Sequence, residues 1–290
     1  MIVIHDPRCG EYGSAERPEQ PARVLQTAAR LRLRHPDWRW ELAGPVEDAQ
    51  ILAAHDAALL ARLCKPEEFD ADTPYFEGIA EHARRSAGGA LGAMGHALAG
   101  RRAFSLLRPP GHHATRSRAM GFCYLNQIAI AALEARRRGV GRVAVWDFDA
   151  HHGNGTEEIL SGIEGVLYVS VHQAPCYPGT GLHTEANCVN FPATPRLPRT
   201  GLLEILRESW NRLLAFHPDL VLVSAGFDAY EKDPVAHLTL EVDDFGILGR
   251  WLRECGLPVA AVLEGGYSED LPLLVDAFLS AWSTPPIPPR

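Results

Sequence analysis

Asp147, Asp149, His151, His152 and Asn154 place two carboxylates, two imidazoles and an amide within one short stretch of the chain. They follow an apolar, β-branched run, Val143 to Trp146, and end in a Gly153-Asn154-Gly155 turn able to open a helix. If Val143 to Asp149 is extended, the two-residue period puts Asp147 and Asp149 on one side, and His151 continues that row as the strand ends. Carboxylate oxygen and imidazole nitrogen presented together suit a zinc-type ion. A strand end with a few satisfied polar groups is the plainer alternative. So many polar groups in so few residues would, however, be costly to bury without a shared partner.

A catalytic zinc keeps three protein ligands and an open position, and Asp149, His151 and Asp228 supply such a set. The ion would lower the pKa of bound water and polarise a carbonyl. Hydrolysis of an amide also needs a base, an acid for the leaving amine and a donor to the oxyanion. His112 and His113, adjacent on a Pro-Gly loop, could make the proton transfers, and Tyr267, preceded by Gly265 and Gly266, could bring its hydroxyl to the oxyanion. Asp147 and Asn154 would orient the imidazoles and tune their basicity. His152 is left as a buried, hydrogen-bonded neighbour. Each feature alone has a plainer reading: surface histidines in a turn, a packing ring after two glycines, an aspartate capping the next segment.

The elements that must carry these residues alternate. Strands are expected at Ile2 to Ile4, Ala103 to Leu107, Arg142 to Asp149, Val166 to Val171, Leu220 to Ser224 and Val259 to Leu263. Helices are expected at Pro21 to Arg34, Val46 to Leu63, Ile79 to Leu98, Ala129 to Arg138, Pro198 to Ala215, Val242 to Cys255 and Leu271 to Trp282. Lys65 to Phe76 reads as a surface loop. Such alternation predicts an α/β fold of three layers, a mainly parallel sheet with helices on both faces. In an open sheet of that kind ligands bind beyond the carboxyl ends of the strands. Four strands deliver polar groups there: His112 and His113, Asp149 and His151, Asp228, and Glu264 to Tyr267. Their agreement on one edge outweighs the separate plainer readings.

Composition narrows the class. The net charge of -8 argues against a nucleic-acid partner, which needs a basic face. The six cysteines show no C-x-x-C pair, as expected of a reduced, cytoplasmic protein. Nothing approaches a membrane span. Without a linker or repeat, residues 1–290 read as a single catalytic domain. Oligomeric state has no signal here.

Several segments resemble the signature blocks of zinc-dependent histone deacetylases and acetylpolyamine amidohydrolases. They are Arg108-Pro-Pro-Gly-His-His-Ala114, Met120-Gly-Phe-Cys-Tyr124 with Asn126, Asp147 to Gly155, Tyr177-Pro-Gly-Thr-Gly181, Ser224 to Ala229 with Asp233-Pro234, and Glu264-Gly-Gly-Tyr267. The resemblance runs in order from about Arg17 to Tyr267 and implies the arginase/deacetylase fold. It assigns zinc to Asp149, His151 and Asp228, proton transfer to His112 and His113 with Asp147 and Asn154 behind them, and oxyanion stabilisation to Tyr267. It further implies a channel walled by Phe122 and Tyr177, a Gly121 carbonyl accepting from the substrate amide, Gly265 among the substrate-binding residues, a potassium ion near Asp147 and Ser170, and Arg23 on an acetate exit route.

Departures from the family pattern bear on specificity. Asn154 stands where some members carry Asp, and Tyr177 replaces a commoner Phe. Val235 occupies a position where polyamine-selective relatives carry an acidic residue. Asp72 keeps a carboxylate near the expected rim, for a peptide backbone, an ammonium or only water. The leading expectation is removal of an acetyl or short acyl group from a lysine-like amine. Acetylpolyamine deacetylation, a two-manganese ureohydrolase and a non-catalytic acyl-lysine binding module are the alternatives. The ureohydrolase would need extra carboxylates that Gly226-Phe227 before Asp228 does not offer.

Overall fold

The apolar runs that lead into the polar clusters become neighbouring strands of one sheet. A computed structural model describes residues 1–284; the last six residues of the expected domain lie outside the described residues. In chain order the elements are β1 (Ile2–Ile4), α1 (Ala22–Arg34), β2 (Arg39–Glu41), α2 (Asp48–Leu52), α3 (Ala57–Leu63), α4 (Ile79–Leu98), β3 (Ala103–Ser105), α5 (Gln127–Arg137) and β4 (Val143–Asp147). There follow α6 (Asn154–Leu160), β5 (Val166–Gln173), β6 (Cys188–Ala193), α7 (Arg199–Leu214), β7 (Leu220–Ala225), α8 (Val242–Glu254), β8 (Val259–Leu263) and α9 (Leu271–Ser283).

The strands form one eight-stranded sheet in the order β2-β1-β3-β8-β7-β4-β5-β6, every neighbouring pair parallel. All residues of β4, β7 and β8 are buried, which is why these strands read as unbroken apolar runs rather than alternating ones. Helices α1 and α8 pack on α9, while α4 packs on α5 and against β3 and β8. A Cβ at Gly249 of α8 would overlap the Phe278 carbonyl, so glycine there sets how closely α8 and α9 approach. The α/β architecture expected from the alternation is the one observed.

The differences are local. The single helix expected over Val46 to Leu63 is two, α2 and α3, because the chain turns out of helix at Asp56, an extended N-cap whose N–H donates to the Arg116 carbonyl at 2.8 Å. That break buries His55, which bonds Thr115 O at 2.9 Å and accepts from Asn126 N at 2.8 Å. Strands β2 and β6 had no sequence expectation. Both are sheet edges, partly exposed, and β6 contains Pro192, so neither carries a full apolar run. The strand expected to Leu107 stops at Ser105. Lys65 to Phe76 lacks regular structure, yet Thr73 within it is buried and accepts from Phe122 N at 3.1 Å. Among the described residues, no helix is long and apolar enough to cross a membrane.

Candidate active site

Strands β4, β7 and β8 are neighbours, and the loops leaving their carboxyl ends interlock. Asp149 and His151 follow β4, Asp228 follows β7, and Gly265 follows β8. One ligand atom from each of Asp149, His151 and Asp228 lies within 4.8 Å of the others, and all three residues are buried. Backbone N–H groups fix the carboxylates: Ala150 N donates to Asp228 Oδ1 at 2.8 Å, Gly265 N to Asp149 Oδ2 at 2.7 Å, and His151 N to Asp149 Oδ1 at 2.9 Å. His151 Nδ1 lies 2.9 Å from Asp228 Oδ2 and 3.2 Å from Asp149 Oδ1. Burial, and then repulsion from Asp149, raises the Asp228 carboxyl to about 7. Two carboxylates are thus confined where only a cation or a proton relieves them. Gly265 belongs to this cradle: a Cβ on it would overlap the oxygens of both Asp228 and Asp149. The resemblance places Gly265 among the substrate-binding residues; the structure sets its backbone against the two carboxylates.

The two histidines sit beside this cluster with ring centroids 4.0 Å apart. Their partners differ. His112 Nδ1 lies 3.2 Å from Asp147 Oδ2, which also accepts from the Tyr168 hydroxyl at 2.9 Å. His113 Nδ1 lies 2.9 Å from Asn154 Oδ1. With an amide oxygen facing it, His113 carries its proton on Nδ1 and leaves the Nε2 lone pair free. Burial opposes a charge on His112, but Asp149 and Asp147 overcome it and raise the imidazole to about 10. Burial, followed by the charges of His112 and His151, holds His113 well below its ordinary value. The two neighbouring rings are thus pushed in opposite directions. His152, expected to be buried and bonded, lies 1% exposed with Nδ1 2.7 Å from Thr180 Oγ1 and Nε2 3.3 Å from Glu157 Oε2.

A cleft of about 290 Å³ opens onto these groups, lined by His113, His151, Gly121, Phe122, Tyr177 and Tyr267, with Arg17, Asp72 and Val235 also on its walls. Phe122 and its predecessor Gly121 both have positive φ, 68° and 57°. At Gly121 a Cβ would in addition come within 2.7 Å of the His113 ring. Tyr177 stands edge-on to His113, centroids 5.1 Å apart, and Phe122 faces Tyr267 at 5.6 Å. Tyr177 is 38% exposed, so water can serve the hydroxyl that distinguishes it from a phenylalanine. Asp72 is exposed at the rim. Asp147 and Ser170 are register partners across β4 and β5, with Ser170 Oγ 2.8 Å from His172 Nδ1.

Tyr267 is held from behind by residues whose cooperation was not legible in the chain. Its N–H donates to Asp233 Oδ2 at 2.7 Å. Arg23 donates from Nε to the Gly266 carbonyl at 2.7 Å, and its guanidinium carbon lies 4.7 Å from the Tyr267 ring centroid. Arg23 borders a second cleft, of about 430 Å³, which shares Tyr267 with the first. Buried Glu19 ties Arg23 to the histidine loop: its carboxylate accepts from Arg108 at 2.5 and 2.6 Å and from Arg23 at 3.2 Å. Glu264 likewise accepts from Gly111 N at 2.7 Å and Ser224 Oγ at 3.1 Å. Arg108 opens the Arg108-Pro-Pro-Gly-His-His motif, but its separation from Glu19 in sequence concealed the pairing. His112, Cys123 and Glu264 form a second cluster of donor atoms, but Glu264 and His112 are already engaged as described.

Comparison with known proteins places this geometry among characterised folds. A histone deacetylase domain model matches residues 17–281. A probable deacetylase of Methanothermobacter thermautotrophicus is 45% identical over 93% of this chain and 86% of its own length. A histone deacetylase-like amidohydrolase of Pseudomonas aeruginosa is 36% identical over 89% of this chain and 73% of its own. The crystal structure of an acetylpolyamine aminohydrolase from Burkholderia pseudomallei superposes with a TM-score of 0.91 at 29% identity, covering 97% of this chain and 98% of that one.

Proposed function

The chain belongs to the histone deacetylase family of deacetylases and amidohydrolases, and from that premise we propose that it is a zinc-dependent amidohydrolase, one catalytic domain throughout, removing an acetyl or other short acyl group from a lysine-like amine. The observation that carries this reading is the junction of the Asp149, His151 and Asp228 cluster with the histidine pair at the floor of a cleft that also reaches Tyr267. Two carboxylate oxygens and an imidazole nitrogen suit zinc, and the glycine cradle behind them leaves the carboxylates room for it. When bound, zinc supplies Lewis-acid polarisation of the acyl oxygen and acidifies a water.

The chain's own groups then act in sequence. His113, neutral with Nε2 free, takes the proton of the attacking water. His112, held by Asp147, assists in stabilising the negative charge that develops, and the histidine pair returns the proton to the leaving amine. The Tyr267 hydroxyl donates to the oxyanion. Phe122 and Tyr177 flank the acylated chain, and the Gly121 carbonyl accepts from the substrate amide. The register pairing of Asp147 and Ser170 supports the potassium ion that the resemblance implies there, and the second cleft beside Arg23 supports an acetate route.

Acetylpolyamine hydrolysis is the second reading, favoured by an acetylpolyamine amidohydrolase of Burkholderia pseudomallei that is 41% identical over 57% of this chain. Val235 counts against it, since an apolar residue at that position offers a polycation no attraction and leaves Asp72, among the described residues, as the one carboxylate on the wall. The deciding experiment is a zinc-loaded activity panel of acetyl-lysine peptides, acetylpolyamines and longer acyl-lysines, run beside Tyr267→Phe and His113→Ala. Each variant should lose roughly a hundredfold in turnover, since an oxyanion donor alone contributes about 3 kcal/mol. Full activity in either overturns the assignment of roles, and two manganese ions per chain in metal analysis would overturn the one-zinc assignment.

A further inference from the structure

Of the arginines near the site, Arg23 and Arg108 are fully engaged with Glu19 and backbone carbonyls. Arg17 is not. It lies on the wall of the same cleft as His113, His151 and Tyr267, half-buried, and among the described residues its guanidinium makes no ion pair and no hydrogen bond. Asp72 stands on that wall too, exposed at the rim, and the two residues together also border the small recess beside Phe122 and Tyr124. Opposite charges share two adjoining spaces without neutralising each other directly. A partly desolvated guanidinium left without an anion favours one supplied by the ligand, and its planar fork of donors matches a carboxylate.

The arrangement has a direction. His113 and His151 are buried at the floor, where the acyl carbonyl belongs, whereas Arg17 and Asp72 lie toward solvent, where the carbon that carries the amine's stem must emerge. At about 290 Å³ the cleft is at the small end of ligand sites. We propose, resting on the amidohydrolase reading above, that the substrate is an ω-N-acyl amino acid with its α-carbon uncapped, the α-carboxylate held by Arg17 and the α-ammonium by Asp72. An internal acyl-lysine of a peptide presents neither charge, and an acylated polyamine brings a cation to Arg17.

Four substrates separate the contributions: free Nε-acetyl-lysine, its Nα-acetyl form, its α-amide and the doubly capped compound. The free amino acid should be hydrolysed with a kcat/KM roughly tenfold or more above the doubly capped one, the difference lying in KM, as a charge-assisted hydrogen bond allows. Arg17→Gln should erase the advantage conferred by the carboxylate, and Arg17→Lys should restore part of it. Asp72→Asn should erase the advantage conferred by the ammonium, and added salt should shrink both. Calorimetric binding of the non-hydrolysable ketone analogue of Nε-acetyl-lysine, with and without its carboxylate, reads the same preference in the absence of turnover. Failure of all four substrates, with acetylpolyamines and longer acyl-lysines also inert, would sink the amidohydrolase reading and leave the calorimetric result to judge the carboxylate preference. Equal kcat/KM for free and doubly capped substrate, or equal binding of the two ketones, overturns the inference.

Discussion

His55 makes acid stability a measure of how the histidine loop is anchored. Its ring is 1% exposed, with Nδ1 2.9 Å from the Thr115 carbonyl and Nε2 2.8 Å from the Asn126 N–H. Nδ1 must carry the proton and Nε2 must accept, so a second proton would set a donor against a donor. Burial accordingly holds His55 at about 4, against an ordinary value of 6.5. Because the folded value is depressed, the unfolded chain binds the extra proton first. The stability that neutral His55 contributes is present above about pH 6.5 and is lost as pH falls toward 4. The full difference corresponds to about 3 kcal/mol, of which about 2 kcal/mol should be lost between roughly pH 7 and pH 4.5. His55→Gln keeps an acceptor near Asn126 and does not titrate. Denaturant unfolding of both proteins across this range should show wild type losing about 2 kcal/mol relative to the variant, the other buried histidines being common to both. Parallel curves would refute the neutral tautomer and its place in the anchor.

Two further substitutions test the scaffold behind the chemistry. Gly265→Ala places a methyl group against both carboxylates, so the purified variant should hold far less than one zinc per chain while keeping a native circular dichroism spectrum; unchanged zinc content would show that the cradle is not needed. Glu19→Gln leaves buried Arg108 and Arg23 without their shared anion, which should cost roughly 3 kcal/mol in denaturant unfolding; a loss below about 1 kcal/mol would mean the network contributes little.

Much of this was legible because the covered strands are pure apolar runs and the ligands follow them at once. Val143 to Asp149 and Leu220 to Asp228 announce both the strand and the residues it delivers. What could not be read is whatever depends on pairing across long separations. Glu19 meets Arg108 across 89 residues and Arg23 meets Gly266 across 243, and neither separation has a period to detect. The edge strands β2 and β6 were missed because half-exposed strands need no apolar signature. The break at Asp56 was missed because α2 and α3 each continue the same amphipathic pattern, and only the burial of His55 gives the turn its purpose. That the Gly265 backbone braces both carboxylates is likewise a contact between separate strand ends, Asp149 lying 116 residues away.

The strand order has a temporal meaning. β8 lies between β3 and β7, so it alone joins the early strands β2, β1 and β3 to the later group β7, β4, β5 and β6. As a nascent chain emerges, residues 1–258 can form at most two separate half-sheets, each with an open edge waiting for the same five residues. Gly265 and Tyr267 follow the keystone directly, so the strand that joins the half-sheets and the last groups of the site are synthesised together. A ribosome stalled before Val259 would hold an intermediate with the metal ligands already translated and no finished floor on which to use them.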